Sequence, residues 1–320
     1  MTQPTPSRSG LMPAVLVCAV VGVTTVAATV SRGRAPEAAS AGIPDIATED
    51  YGRRLIAETP ALLGPDHPDP AMRYSGSRLA CGSCHLGTGT EPGTLTLLQT
   101  LEHYPRFSAR AGAMTDIEDR INECMQRSMN GRPLPFESAE MKAMAAYLRG
   151  LGRRYAAMGE SLRTVVEPEP FKMPDRAASL EGGKDVFAAR CAACHGTDGL
   201  GLRASANPAD GYVFPPLWGP DSFNNGAGMN RVLTAARFIK ARMPLGQADL
   251  TSDEAFDVAA YLNSQPRPQM TNLDQDYPDR TKKPVDNGYG PFADPFPLEQ
   301  HRFGPFAPIT AYYAQPKAPE

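Results

Sequence analysis

The sequence predicts an all-α protein of two similar helical domains in tandem, with an N-terminal signal or anchor and an irregular C-terminal tail. Two observations support this prediction. The motif Cys-x-x-Cys-His occurs at Cys81 and again at Cys191, and a helix with the same apolar spacing follows each copy. The chain has 320 residues, which suits about two domains, because it exceeds the usual size of a single hydrophobic core.

Each motif is the attachment signature of a c-type haem. Two thiols bond covalently to the haem, and the adjacent histidine becomes an axial ligand of its iron. One match would also suit a redox thiol pair, but two matches in an exported chain favour haem. The six motif residues are Cys81, Cys84, His85, Cys191, Cys194 and His195. The sequence therefore predicts two covalently bound c-type haems, one in each domain.

The helices around the motifs indicate an internal repeat. Residues 141–148 and 255–262 both place apolar side chains at i, i+3, i+4 and i+7, which puts them on one helix face. Segments 52–56 and 183–187 are predicted to lie in the first helix of each unit. Such an all-helical unit wrapped around a haem resembles the class I cytochrome c domain.

The pattern of residues 1–41 predicts that the protein is exported. A single basic residue, Arg8, precedes an apolar run from Leu11 to Val30, and a small-residue processing site, Ala39-Ser40-Ala41, follows it. The run is close to the length that spans a bilayer, so the segment is either a cleaved signal peptide or an uncleaved anchor. We expect a periplasmic protein, soluble or anchored. Its net charge of −3 gives no reason to expect nucleic acid as a partner.

Composition sets the predicted domain boundaries. The first haem domain is placed at 42–165 and the second at 175–268. Between them, residues 166–174 contain three prolines and no helical period, which indicates a stiff linker. The tail, 269–320, is rich in proline, glycine and aromatic residues. Its aromatic content favours a segment packed on the domains over a disordered one.

Cys124 is the cysteine left over in the exported part once both haem motifs are filled. A capping box at Thr115–Glu118 predicts the start of a helix, and Asn130-Gly131 predicts its end. On that helix one face carries Ile117, Arg120, Ile121, Cys124, Arg127 and Ser128. Guanidinium groups beside a thiol favour the thiolate and attract anions, whereas an inert structural thiol prefers apolar neighbours. The residues alone leave both readings of Cys124 open.

Several stretches resemble the bacterial dihaem thiosulfate dehydrogenases. They are residues 77–85, 117–131, 282–292 and 300–306. This family joins two thiosulfate anions into tetrathionate with release of two electrons, and some members prefer the reverse reaction. The resemblance implies that thiosulfate and tetrathionate are the substrate and product here, without fixing the direction.

The same resemblance assigns residues to roles. It implies that Cys124 is an axial ligand of the first haem iron and that Arg110, Arg120 and Ser128 belong to the substrate site. Arg127 either joins them or faces solvent. Fixed guanidinium groups would offset the repulsion between two thiosulfate dianions. Cys124 is also hypothesised to leave the iron and form a covalent thiosulfonate, which a second thiosulfate then attacks.

Met243 is the predicted axial ligand of the second haem, because a Met-Pro segment at this distance from the motif resembles class I cytochromes c. Lys240 is a minor alternative and Met229 a weaker one. A thiolate ligand should lower the potential of the first haem, and methionine should keep the second higher. Electrons are then expected to pass from the first haem to the second and on to a soluble or membrane-linked acceptor, such as a small cytochrome c.

Two other functions fit the haem motifs. One is a dihaem electron-transfer cytochrome that has no substrate of its own, which the arginines around Cys124 disfavour. The other is a haem-thiolate subunit of a sulfur-oxidising complex, which the resemblance of the tail disfavours. A peroxidase would need an open or displaceable position at one iron.

Overall fold

The computed structural model describes residues 45–159 and 171–315. The predicted signal or anchor and residues 166–170 of the predicted linker lie outside these ranges. Within them, the structure is a helical protein of two haem-type domains followed by a tail, as the sequence predicted. No helix in the described ranges is long and apolar enough to cross a membrane.

The first domain is built from helices α1 (Asp45–Ala57), α2 (Thr59–Leu63), α3 (Ile117–Arg127) and α4 (Ala139–Ala157). Its haem motif begins in a short 3-10 turn, Cys81–Ser83. The motif-based prediction did not include the antiparallel hairpin formed by β1 (Arg106–Ser108) and β2 (Ala113–Thr115).

The second domain repeats this plan with helices α5 (Leu180–Arg190), α6 (Ala192–His195), α7 (Val232–Arg242) and α8 (Ser252–Ser264). A two-stranded pair, β3 (Leu202–Arg203) and β4 (Tyr212–Phe214), follows its haem motif. The rings of Phe187 and Trp218 lie 5.0 Å apart, and Tyr261 packs against both. Aromatic side chains thus fill the core beside the motif.

A glycine allows the first and last helices of each domain to cross closely. A Cβ atom on Gly52 would lie 2.1 Å from the carbonyl oxygen of Ala143, and one on Gly183 would lie 2.1 Å from that of Asp257. Both values are far below any van der Waals contact, so each crossing requires glycine. The two domains therefore share one helix-crossing geometry, which agrees with the predicted repeat.

The tail packs on both domains. The buried Phe306 lies edge-on to Phe256 of α8, with ring centroids 6.1 Å apart. On the first domain, the backbone N–H of Tyr277 donates to the carbonyl oxygen of Arg110 at 2.8 Å. Much of the tail is irregular, as predicted, and it also contains two short helices, α9 (Leu298–Phe303) and α10 (Ala307–Ala314).

Candidate active site

The first haem motif is held by hydrogen bonds that orient its ligands. The Thr59 hydroxyl accepts from the backbone N–H of Cys81 at 3.1 Å. The Nδ1 atom of His85 lies 2.7 Å from the carbonyl oxygen of Leu95, which leaves Nε2 as the nitrogen for an iron ion. Burial lowers the pKa of His85, so the imidazole stays neutral, which is the form that binds metal.

The second motif has the same arrangement. His195 Nδ1 lies 2.8 Å from the carbonyl oxygen of Pro215, and burial again lowers the pKa of this histidine. Cys191 and Met243 both pack against the hydrophobic core of the second domain. Lys240 lies in the last turn of α7. The structure thus brings Met243 to the core that carries the second motif, and its role as a ligand stays a prediction.

Helix α3 presents Cys124. Its N-cap is Asp116, whose carboxylate accepts from the backbone N–H of Asp119 while Asp119 bonds back to the N-cap N–H. The capping box therefore lies one residue later than the predicted Thr115–Glu118, because the aspartate carboxylate makes the cap. Ile117 and Ile121 are buried and anchor the helix, which fixes the direction of the Cys124 side chain.

Cys124 and the first haem motif line one cavity of about 660 Å³. All four predicted catalytic residues lie on its wall, namely Cys124, Arg110, Arg120 and Ser128. Arg127 also lines the cavity, so its alternative placement toward solvent is wrong. The second domain contributes Phe223, Met229, Arg231 and Thr234 to the wall, and the tail contributes Tyr277, Lys282 and Pro284.

The cavity wall is strongly basic. Five arginines and one lysine line it, against a single acidic residue, Glu123. Guanidinium groups bind oxyanions through fixed, paired N–H donors, so a wall of this kind favours a small multivalent anion. The cavity combines such an anion site with a thiol, which is the chemistry that sequence analysis expected of Cys124.

Carboxylates hold three of the cavity arginines in place. Glu123 accepts from Arg120 Nη1 at 3.0 Å and also lies 4.0 Å from Arg110 Nη1. Asp276 of the tail accepts from Arg127 Nη2 at 2.7 Å. Because these partners restrict the rotamers, the guanidinium groups are oriented before any ligand binds.

Cys124 interacts electrostatically with Arg120 and with both cysteines of the first haem motif. The charge of the Cys124 thiolate raises the pKa of Arg120, which keeps that guanidinium charged. Burial raises the pKa of Cys81 to about 11, with the charge of Cys124 adding to the effect. Burial likewise raises the pKa of Cys84 to about 12, with smaller contributions from Cys81 and Cys124. Three sulfur atoms and one imidazole therefore converge on the same cavity.

These residues fit a covalently bound haem c. Cys81, Cys84 and His85 share the cavity wall with Cys124, and His85 is held with Nε2 free for iron. The cavity volume suits a bound cofactor or ligand. The donor set of imidazole nitrogen and thiolate sulfur is a known type of haem ligation.

Sequence analysis missed the parts of the wall that come from distant segments. Arg231 lies next to α7, and Lys282 lies in the tail, yet both face the cavity of the first domain. The signal for Lys282 was the basic pair Lys282-Lys283 within the tail stretch that carried the family resemblance. Met229, considered for the second haem, lines this cavity and also packs on the core of the second domain.

Comparisons with known proteins agree with this architecture. The family described as SoxA/TsdA, cytochrome c domain, matches residues 73–156, and the family described as cytochrome C oxidase, cbb3-type, subunit III, matches residues 178–262. Cytochrome c domains imply covalently bound haem c. Both halves of the described chain therefore belong to the cytochrome c class.

Named relatives span most of the chain. A thiosulfate dehydrogenase of Allochromatium vinosum is 42% identical over 241 residues, which cover 72% of this chain and 83% of that protein. Another, of Stutzerimonas stutzeri, is 38% identical over 239 residues, covering 74% of this chain and 75% of that protein.

A solved structure is similar as well. The thiosulfate dehydrogenase TsdBA of Marichromatium purpuratum matches with a TM-score of 0.64 and 30% identity over 80% of this chain. The match covers 52% of the solved chain, so the present chain spans about half of its length.

Proposed function

The chain belongs to the thiosulfate dehydrogenase family, and on that premise we propose that it oxidises two thiosulfate anions to one tetrathionate and passes two electrons to a cytochrome acceptor. One observation carries this proposal. Cys124 lies in the wall of a single cavity with the first haem motif and a surplus of arginines.

Two haems are proposed, because each domain has a complete motif whose histidine is oriented by a backbone carbonyl. His85 and Cys124 would hold the first iron, and His195 and Met243 the second, with Lys240 a minor alternative. When bound, the haems supply one-electron redox chemistry that takes electrons from the substrate. The proposed domain boundaries remain 42–165 and 175–268.

Arg110, Arg120, Arg127 and Ser128 are proposed to bind thiosulfate. Two dianions repel each other, and oriented guanidinium groups counter this repulsion most strongly where charge is concentrated. Glu123 on the cavity wall and Asp276 outside it fix the guanidinium groups of all three arginines. The binding site is therefore formed before the substrate enters.

Cys124 is proposed as the nucleophile. Its thiolate forms a sulfur–sulfur bond with the outer sulfur of one thiosulfate, giving a cysteine thiosulfonate and releasing two electrons. The outer sulfur of the second thiosulfate then attacks the sulfur bonded to Cys124. Tetrathionate forms, and the Cys124 thiolate leaves unchanged, as in thiol exchange. The released electrons pass through the first domain to the second and outward.

The partner proposed for the second domain is a small soluble cytochrome c or a membrane-linked carrier. We place the protein in the periplasm, where c-type cytochromes and their acceptors work, and residues 1–41 are proposed as its export signal or anchor.

The test is thiosulfate oxidation by the haem-loaded protein with an artificial electron acceptor. We expect the wild type to turn over and Cys124→Ala to lose at least about 100-fold in kcat, because the nucleophile is gone. Gln126→Ala is the matched control, since Gln126 lies two residues away on α3 but does not line the cavity. It should retain wild-type activity.

The haem content of each variant is measured beside its activity. A fully loaded wild type without activity in either direction would exclude the proposed reaction and favour an electron carrier. Full turnover by Cys124→Ala would instead exclude Cys124 as the nucleophile.

A further inference from the structure

Arg267 is a buried arginine whose charge the described chain does not neutralise. Arg267 is 9% exposed and lies three positions after the end of α8. Nη2 donates to the carbonyl oxygen of Leu262 at 2.6 Å. Nε and Nη1 are buried, and neither has a hydrogen-bond partner among residues 45–159 and 171–315. Two donors of one cation are therefore left for another group.

The surroundings of Arg267 also favour a bound anion. Burial lowers the pKa of Arg267 to about 10, and the positive charge of Arg302 lowers it further in the same direction. Removing a cation from water without a counter-ion is costly, so buried charges are normally paired. Here the nearest charge acting on the guanidinium has the same sign.

Elsewhere the chain supplies carboxylates to its arginines. Arg231, the residue directly before α7, donates to the fully buried side chain of Asp286 at 2.6 and 2.8 Å. Arg176 pairs with Asp253 and Asp257 of α8. Within the described residues, Arg267 differs from these two arginines, because it has no carboxylate partner.

The substrate is a poor candidate for this anion. The guanidinium carbon of Arg267 lies 4.3 Å from the ring centroid of Phe223, and Phe223 lines the cavity that contains Cys124. Arg267 itself is not part of that wall. Phe223, and not Arg267, is thus the residue of this pair that faces the proposed thiosulfate site.

A haem carboxylate fits better. Arg267 bonds to Leu262, and Leu262 belongs to the core against which Cys191 and Met243 pack. A c-type haem carries two propionate carboxylates, and paired N–H donors of an arginine match a carboxylate in geometry and charge. The second haem would bring this carboxylate to the domain that contains Arg267.

We propose that Arg267 binds a propionate carboxylate of the haem attached to Cys191 and Cys194. This inference rests on the proposed second haem and is independent of the thiosulfate reaction. A fixed cation beside a haem stabilises the reduced form, in which the iron carries less positive charge. Arg267 therefore raises the potential of the second haem and keeps its propionate ionised.

The test is a redox titration of the fully loaded protein at several pH values, with the two haems resolved by their spectra. Arg267→Gln removes the charge, so we expect a lower potential for the second haem and no change for the first. Without the neighbouring cation, the propionate should take up its proton at a higher pH. The pH range in which the potential of the second haem changes should therefore move to higher pH. Arg176→Gln is the control, because that arginine is only partly buried and already paired with two carboxylates.

A folded, loaded Arg267→Gln protein with both potentials unchanged would overturn the inference and leave Arg267 a structural residue. A shift confined to the first haem would overturn its assignment to the second. If Arg267→Gln does not retain its haems, Arg267→Lys replaces it. Lysine keeps the charge but lacks the paired donors, so a smaller shift in the same direction is expected. No shift in that variant would contradict the proposal.

Discussion

The two haem domains share a scaffold and differ in what they place beside the haem motif. In both, the first and last helices cross at a glycine, Gly52 or Gly183, and a backbone carbonyl orients the motif histidine. Between the motif and the last helix, the first domain has α3 with Cys124 and a basic cavity. The second domain has α7, which leads into Met243.

In the proposed function, this difference assigns catalysis to the first domain and electron transfer to the second. The helix crossing and the haem motif are the features that repeat in the two domains. The segment between motif and last helix carries the proposed second ligand, Cys124 or Met243, and it does not repeat. The second domain and the tail also contribute residues to the wall of the cavity in the first domain. The proposed site of thiosulfate oxidation is therefore in contact with the domain that is proposed to relay electrons.

The largest effect among the tests of this comparison is expected from Arg120→Ala. Arg120 interacts with Cys124 and is held by Glu123 at 3.0 Å. Losing one oriented donor at a site of concentrated charge should lower kcat/KM for thiosulfate by roughly 100-fold. The control is Arg149→Ala, an exposed arginine of α4 that pairs with Glu118 at 2.5 Å outside the cavity. Equal activities of the two variants would show that the basic wall is not the substrate site.

The shared scaffold is tested by Gly52→Ala and Gly183→Ala. Each added Cβ would meet a backbone carbonyl oxygen at 2.1 Å, so the helices must separate. We expect each variant to lose about 2 kcal/mol in the free energy of unfolding, measured by denaturant titration. Gly159→Ala serves as the control, because nothing lies within 4 Å of its added Cβ. A clear loss of unfolding free energy in only one of the two variants would show that the two helix crossings are not equivalent.

A smaller effect is expected where the domains meet. Arg78 donates to Asp66 of its own domain at 2.5 Å, and its backbone N–H donates to Asp221 of the second domain at 2.9 Å. The hydrogen bond from Arg78 lowers the pKa of Asp66. Asp66 is partly exposed, so Asp66→Asn should cost well under 1 kcal/mol at pH 7.

The stability lost in Asp66→Asn should depend on pH, because the pKa of Asp66 is lowered in the folded protein. A lowered carboxyl pKa means that the stabilisation is present above the usual value of about 3.9 and is lost as the pH falls through the lower folded value. The melting temperatures of wild type and Asp66→Asn should therefore differ at pH 7 and converge in acid. A difference that grew on acidification would contradict the assignment of Asp66 as a paired carboxylate.

Local patterns in the sequence predicted much of the fold. The two motifs, the apolar stripe of each last helix and the face of α3 depend on spacing within a few turns, and the structure contains all of them. The helix start was misplaced by one residue because Asp116 and Asp119 form the cap together. The hairpin β1–β2 was missed because its exposed Phe107 and Met114 follow no core pattern.

The candidate site was predicted only in part, for a physical reason. Cys124, Arg120, Arg127 and Ser128 share one helix, so their common face follows from helical geometry. Arg110 came from the family resemblance. Arg231 and Lys282 reach the cavity only because the second domain and the tail fold back on the first domain. No short-range pattern encodes such long-range packing.

In the proposed function, thiosulfate reacts in the first domain and the second domain only relays electrons. Rapid anaerobic mixing of the oxidised, loaded protein with thiosulfate, followed by haem absorbance, tests it directly. Met243→Ala should still be reduced by thiosulfate, with slower transfer onward, whereas Cys124→Ala should not be reduced. Reduction that survives Cys124→Ala and disappears in Met243→Ala would place the reaction in the second domain and contradict the account.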